Sequence, residues 1–311
     1  MGKFKGIIVG TLLSVIALSA VGCSGGKTQE TANLTGDVKI DGSSTVAPIS
    51  QAIAESFKQE NSGVNVSIGV SGTGGGFKKY VTGETDINNS SRAIKDEENE
   101  KAKKSGIESE KFEVAYDGIA VVVSKENTWV DDITTEELKK IWEPNSKVKK
   151  WSDVRKDWPQ ETIKLYGPGT DSGTFEYFTE VINGKAKAIR TDFTASEDDN
   201  ILVQGVSNDK YSIGYFGAAY YEENVDKLKA LKINGIELKA ENIANKTYSP
   251  LSRPLYIYVS KKSLREKPQV AAYVKYYMEN AKDFVSEVGY FPLEDLKYEE
   301  GKIKIQELTK K

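Results

Sequence analysis

Three times in this chain a short apolar run ends in a cluster of glycine and hydroxyl residues, then opens into a helix-period pattern. The clusters are Asp41-Gly-Ser-Ser-Thr45, Ser71-Gly-Thr-Gly-Gly-Gly76 and Gly167-Pro-Gly-Thr-Asp-Ser-Gly-Thr174. The runs around them alternate in kind. Val38-Lys-Ile40 is a short strand, and Ile49, Ile53 and Phe57 follow at helical spacing. Val64, Val66, Ile68 and Val70 have the period of a strand, and Ile119 to Val123 is a continuous apolar run of the sort buried on both faces in a parallel sheet. Further strands are predicted over Ile163 to Tyr166, Ile213 to Phe216 and the alternating Leu255, Ile257 and Val259. A long helix opens near Pro268 and carries Val270, Tyr273, Val274 and Tyr277 on one face. Strands alternating with helices predict an α/β fold with mainly parallel sheets.

Each strand-to-helix entrance is a place where an anion can sit. Glycine lets backbone come close to a ligand, hydroxyls donate hydrogen bonds, and the first helical turn has unpaired N–H groups at its positive end. Taken singly, such an entrance is an ordinary N-cap. Three in one chain point to a shared oxyanion. None is a P-loop, because no Gly-Lys-Ser/Thr follows, and Gly72-x-Gly74 lacks the rest of a dinucleotide fingerprint. Asp171-Ser172-Gly173 has the look of a nucleophile turn, but the chain of 311 residues contains no histidine to activate Ser172.

That same lack of histidine removes His-ligated zinc, and a single cysteine can neither close a disulfide within the chain nor build a thiolate cage. No cofactor is expected. A net charge of -3 gives no pull toward nucleic acid. Arg92, in the polar stretch Asn88-Asn-Ser-Ser-Arg92, reads as a loop cation able to grip two oxygens of a tetrahedral anion. The run Asp96 to Lys104 reads as a solvated helix with Glu97 facing Lys101 and Glu100 facing Lys104.

The amino terminus has its own logic. Lys3 and Lys5 precede an apolar stretch from Ile7 to Leu18, the layout of an export signal. The lone cysteine, Cys23, follows Ala20-Val-Gly22 and resembles the acylated cysteine of a bacterial lipoprotein. Residues 1–22 are then the signal and 23–36 a flexible tether.

These stretches together resemble the phosphate-binding lipoprotein of bacterial phosphate ABC transporters, a solute-binding protein. The motifs are Asp41 to Pro48, Ser71 to Gly76, Asp86 to Lys95 and Leu165 to Phe175. The resemblance implies a two-lobed type II binding-protein fold with the ligand cleft between lobes. Residues 37–117 and 256–311 would form lobe I and residues 118–255 lobe II, with crossovers near Ala115 to Ile119 and Arg253 to Tyr256.

It also implies that Ser43, Ser44, Thr45, Ser71 or Thr73, Arg92, Ser172, Gly173 and Thr174 hold inorganic phosphate. Much of the family has an arginine where this chain has Pro168 and an aspartate in the loop that here holds Arg92. This chain is similar to the subgroup in which the arginine has changed lobes. The carboxylate that accepts a proton from phosphate would then be Asp171, with Asp198 and Asp199 behind it. A missing acceptor would suit sulfate, molybdate or tungstate instead. The expected partners are phosphate, the permease subunits and the membrane through a lipid on Cys23. The expected protein is a monomer on the outer face of the cell membrane, with no reaction to catalyse. A phosphate-ester hydrolase and an adhesin are the remaining alternatives.

Overall fold

The apolar periods become elements in the order that burial requires. In the computed structural model, which describes residues 34–170 and 172–310, Val38 and Ile40 turn inward from strand β1 (Gly36–Gly42). Helix α1 (Ala47–Glu60) carries Pro48 in its first turn and buries Ile49, Ile53 and Phe57. Strand β2 (Val64–Ile68) stops short of the predicted Val70, which stands 60% exposed. Helix α2 (Gly72–Tyr80) leads to β3 (Ile87–Ser90) and α3 (Asp96–Lys104). The long strand β4 (Ser109–Ser124) follows, then β5 (Asp132–Ile133), α4 (Thr135–Trp142) and α5 (Trp151–Val154).

The third entrance joins β6 (Lys164–Pro168) to α6 (Gly173–Asn183). After it come β7 (Thr194–Ser196), α7 (Asp199–Ser207), β8 (Ser212–Gly217), α8 (Ala218–Glu222), β9 (Leu228–Ala230), β10 (Lys232–Ile233) and α9 (Ala240–Ala244). Strand β11 (Ser252–Ser260) then returns through the sheet, and α10 (Lys261–Glu266), α11 (Pro268–Glu287) and α12 (Asp295–Thr309) complete the chain. The described residues fall in one unit, and no helix among them is long and apolar enough to cross a membrane.

The strand order is β2-β1-β3-β11-β4-β8-β6-β7, with β9 beside β4. Both arms are parallel, as an α/β chain requires: β1 with β2 and β3, and β6 with β7 and β8. The middle is not. Strands β3, β11, β4 and β8 run antiparallel to their neighbours in that order. Ile119 to Val123 therefore lies in antiparallel pairing with β8 and β9. Its unbroken apolar run reports two covered faces: Ile119, Val121 and Val123 pack into one core and Ala120 and Val122 into another.

Asn88, Asn89 and Ser90, predicted in a loop, are buried strand residues of β3. Their polar groups are only partly met by protein: Ser90 Oγ donates to the Arg92 carbonyl at 2.6 Å, whereas the Asn88 side-chain amide and Asn89 Nδ2 are buried without a partner among the described residues. Asn89 Oδ1 accepts from Ser50 Oγ at 3.0 Å, and the Asn89 carbonyl accepts from Ser43 N at 2.9 Å. Gly42 sits at φ +139°, where a β-carbon would stand 2.1 Å from that carbonyl, so only glycine closes β1 here. Gly76 has a related task. A β-carbon there would meet the Gly42 Cα at 2.5 Å, so this glycine serves the packing of α2 on β1, not ligand approach.

Candidate functional site

At the carboxyl ends of β1 and β3 the chain opens a cleft of about 620 Å³. Ser43, Ser44 and Thr45 line it from the first entrance, Ser71 and Thr73 from the second, Gly173 from the third, and Arg92 from the end of β3. Open α/β sheets place ligand sites outside such strand ends. Ser172 and Thr174 are not among the lining residues. Ser172 is the N-cap of α6, its Oγ accepting from Thr174 N at 3.2 Å and Phe175 N at 3.4 Å. Asp171 and Cys23 lie outside the described residues. Asp198 and Asp199 are not cleft-lining; Asp198 caps α7, and burial, then Asp198 and Glu197, push the Asp199 carboxyl up to about 6.

The first entrance is organised from within. Ser43 Oγ accepts from Thr45 N at 3.2 Å and its carbonyl accepts from Ala47 N, a turn that carries the chain into α1. Ser44 N has no protein acceptor among the described residues. Neither have the first-turn amides of Gly72, Thr73 and Gly173, which helix geometry leaves unpaired.

Hydrogen bonding separates the two candidates of the second entrance. Ser71 N and Oγ both donate to Asp41, which also accepts from Lys79. Burial pushes the Asp41 carboxyl up, and the bonds from Lys79 and Ser71 outweigh it, leaving the group below the ordinary carboxylate range. Ser71 thus spends its proton on Asp41. Thr73 Oγ1 instead accepts from Ser91 N at 3.1 Å, and shares a 3.1 Å contact with Ser91 Oγ.

Arg92 is held by a partner the charge pattern of α3 did not point to. Both its terminal nitrogens donate to Glu98, at 2.9 and 2.8 Å, and Glu98 also accepts from Lys95 N. The Glu98 bonds raise the Arg92 pKa. Burial pushes Glu98 up, and Arg92 overcomes it to hold the carboxylate low. Among the described residues the ion pair that α3 makes is Glu98 with Arg92, and the expected pairs Glu97–Lys101 and Glu100–Lys104 do not form.

Arg253 belongs to the same cleft, and sequence patterning missed it as a site residue. Its Nε donates to Asp117 Oδ2 at 3.1 Å, its Nη2 donates to Thr45 Oγ1 at 3.0 Å, and its guanidinium carbon stands 3.6 Å from the centre of the Tyr177 ring. Burial pushes Asp117 up, and Arg253 offsets only part of that. A signal was present: Asp117 interrupts the apolar stretch of β4, and Arg253 is its register partner in β11. Charges of opposite sign in two adjoining buried strands have to be spatial partners. Glu176 and Glu180, one turn apart on α6, add two carboxylates to the cleft wall.

The first and third entrances converge closely, and the second lines the same cleft. A β-carbon on Gly173 would lie 2.5 Å from Thr45 Oγ1 and 3.3 Å from Ser44 Oγ. The start of α6 is therefore packed onto the first entrance, with Arg253 on the same threonine.

Residues 27–281 match the model of the PBP superfamily domain. The chain is 48% identical to Protein SphX of Synechococcus elongatus over 90% of this chain and 84% of that one. It is 38% identical to the phosphate-binding protein PstS of Staphylococcus saprophyticus, over 98% of this chain and 95% of the relative. A crystal structure of a "possible phosphate binding protein" from Planctomyces limnophilus superposes with a TM-score of 0.85 at 46% identity, covering 89% of this chain and all of the other. The chain belongs to the PBP superfamily, in the family that holds the PstS and SphX proteins.

Proposed function

We propose that this protein captures inorganic phosphate outside the cytoplasm and hands it to the permease of an ABC transporter. The observation that carries the reading is the convergence of Gly173, Thr45 and Ser44, which brings the positive ends of α1 and α6 to one point beside two arginines. Unpaired amides and guanidinium groups together make charge-assisted bonds to a tetrahedral anion, and such bonds strengthen as water is excluded. Strands β4 and β11 lie between the two parallel arms of the sheet, and we read residues 37–117 with 256–311 as one lobe and 118–255 as the other. Closure and release, without a reaction, are then the working cycle.

Glu176 and Glu180 in the wall favour phosphate over sulfate. A carboxylate accepts a proton that monohydrogen phosphate retains at neutral pH and sulfate lacks, so a fully ionised anion meets repulsion there. Asp171, outside the described residues, keeps the acceptor role expected of it, and these two add further carboxylates able to share it. Export and acylation at Cys23 would keep the protein at the outer face of the membrane, and Cys23→Ala should release it from membranes.

The deciding experiment is calorimetry of the protein with phosphate, then with sulfate at equal concentration. One-to-one phosphate binding that sulfate does not displace is expected. Displacement by sulfate would transfer the site to another oxyanion, and no heat with any tetrahedral anion would end the reading.

A further inference from the structure

Arg92 and Arg253 offer their guanidinium groups to the cleft on unequal terms. Glu98 occupies both terminal nitrogens of Arg92, and one of these also donates to the Ala93 carbonyl at 3.0 Å. Arg253 is fixed by single bonds through Nε and Nη2, to Asp117 and Thr45, and by the face of Tyr177. A guanidinium has five N–H groups. Three of those on Arg253 therefore remain without a protein acceptor among the described residues.

Burial sharpens the contrast. The Arg253 side chain is 13% exposed and that of Asp117 1%, so the charge pair is close to dry with its positive end toward the cleft. An anion resting on Thr45 would lie nearer to Arg253 than to Asp117, and the pair would attract it as an oriented dipole. The three fixed contacts mean that little rotamer freedom remains to be lost on binding.

We infer that Arg253 is an anion-contacting residue of this cleft, held ready by Asp117 and Tyr177. The inference rests on the phosphate reading and deepens it. Arg253 sits on β11 in register with Asp117 of β4, so its contact reports on the antiparallel middle that lies between the two arms of the sheet. Arg92, by comparison, reports only on the end of β3.

The test is phosphate calorimetry on variants of the full chain. Arg253→Gln alone would leave Asp117 buried and unpaired, so the variant to make is Arg253→Gln with Asp117→Asn, which removes both charges. At least a tenfold loss of affinity with a cooperative melt is expected. A second measurement separates direct contact from mere support of Thr45: in a Thr45→Ala background the same double change should still lose at least fivefold. No further loss there would make Arg253 only a prop for the threonine and overturn the inference.

Should the double variant fail to fold, Arg253→Lys is read instead. It keeps the charge but loses the fork, and at least a threefold loss is expected; unchanged affinity overturns the inference. Absence of phosphate binding in the unmodified protein would overturn the phosphate reading and this inference with it. Binding there that persists undiminished in the variants overturns the inference alone.

Discussion

Gly173 at the start of α6 lies against Thr45 at the entrance to α1 so closely that a β-carbon would stand 2.5 Å from the threonine oxygen and 3.2 Å from its backbone nitrogen. Alanine suits a helix start well, and α6 keeps its Ser172 cap. The clash with Thr45 nevertheless forces the two entrances apart, so Gly173→Ala should lower the melting temperature and weaken phosphate binding at least tenfold, about 1.4 kcal/mol. Calorimetry beside a thermal melt checks both halves. Parental affinity would mean that this contact opens when the anion is held.

Arg92 keeps some N–H capacity beyond its fork with Glu98 and lines the cleft. Replacing it with alanine should reduce phosphate affinity by more than tenfold, about 1.4 kcal/mol. Titration of Arg92→Ala with phosphate measures it. An unaltered dissociation constant would remove Arg92 from the site.

The end of β1 is the most sequence-intolerant backbone point described. Gly42→Ala forces a side chain into φ +139° and against the Asn89 carbonyl at 2.1 Å. A loss of at least about 2 kcal/mol is expected from the strain alone. Denaturant unfolding gives the number, and a loss below half that amount would show that the β1–β3 junction relaxes.

Asp199 carries a pH signature. Its carboxyl is held up to about 6 by burial, then by Asp198 and Glu197, against an ordinary value of 3.8. Below pH 4 the group is neutral in folded and unfolded chains alike. As pH rises through 6, the unfolded chain has already released its proton, and the folded state loses stability relative to it. Asp199→Asn has no such proton. Its melting temperature should rise relative to the parent between pH 4 and 7 by roughly 2–4 °C, for a screened effect of about 1 kcal/mol. Parallel pH profiles of the two proteins would refute this.

Much of the frame is legible before any coordinate is known. The faces of α1 and α11 follow from the spacing of Ile49, Ile53 and Phe57 and of Val270, Tyr273, Val274 and Tyr277, because burial on one side of a helix imposes that period. The entrances are legible because glycine and hydroxyl residues are needed where strands turn into helices. Strand direction in the centre is not, since an apolar run such as Ile119 to Val123 records covered faces and says nothing of its neighbours' polarity. Pairing across the fold is equally silent in one dimension: Glu98 reaches back to Arg92 over a bend, and Asp117 meets Arg253 across a ladder joining strands 136 residues apart. Some glycines mislead for a similar reason, Gly76 answering to a neighbouring backbone where a ligand contact was expected.

Strands β4 and β11 are paired from Ser109 with Ser260 to Gly118 with Ser252, with one slip of register at Leu255/Tyr256. Any movement of one arm against the other about this ribbon would have to bend a paired ladder, broken only at the slip. A joint of that kind would act as a leaf spring. Its restoring force would favour one resting gap, keep excursions short, and return the jaws to alignment each time cargo departs.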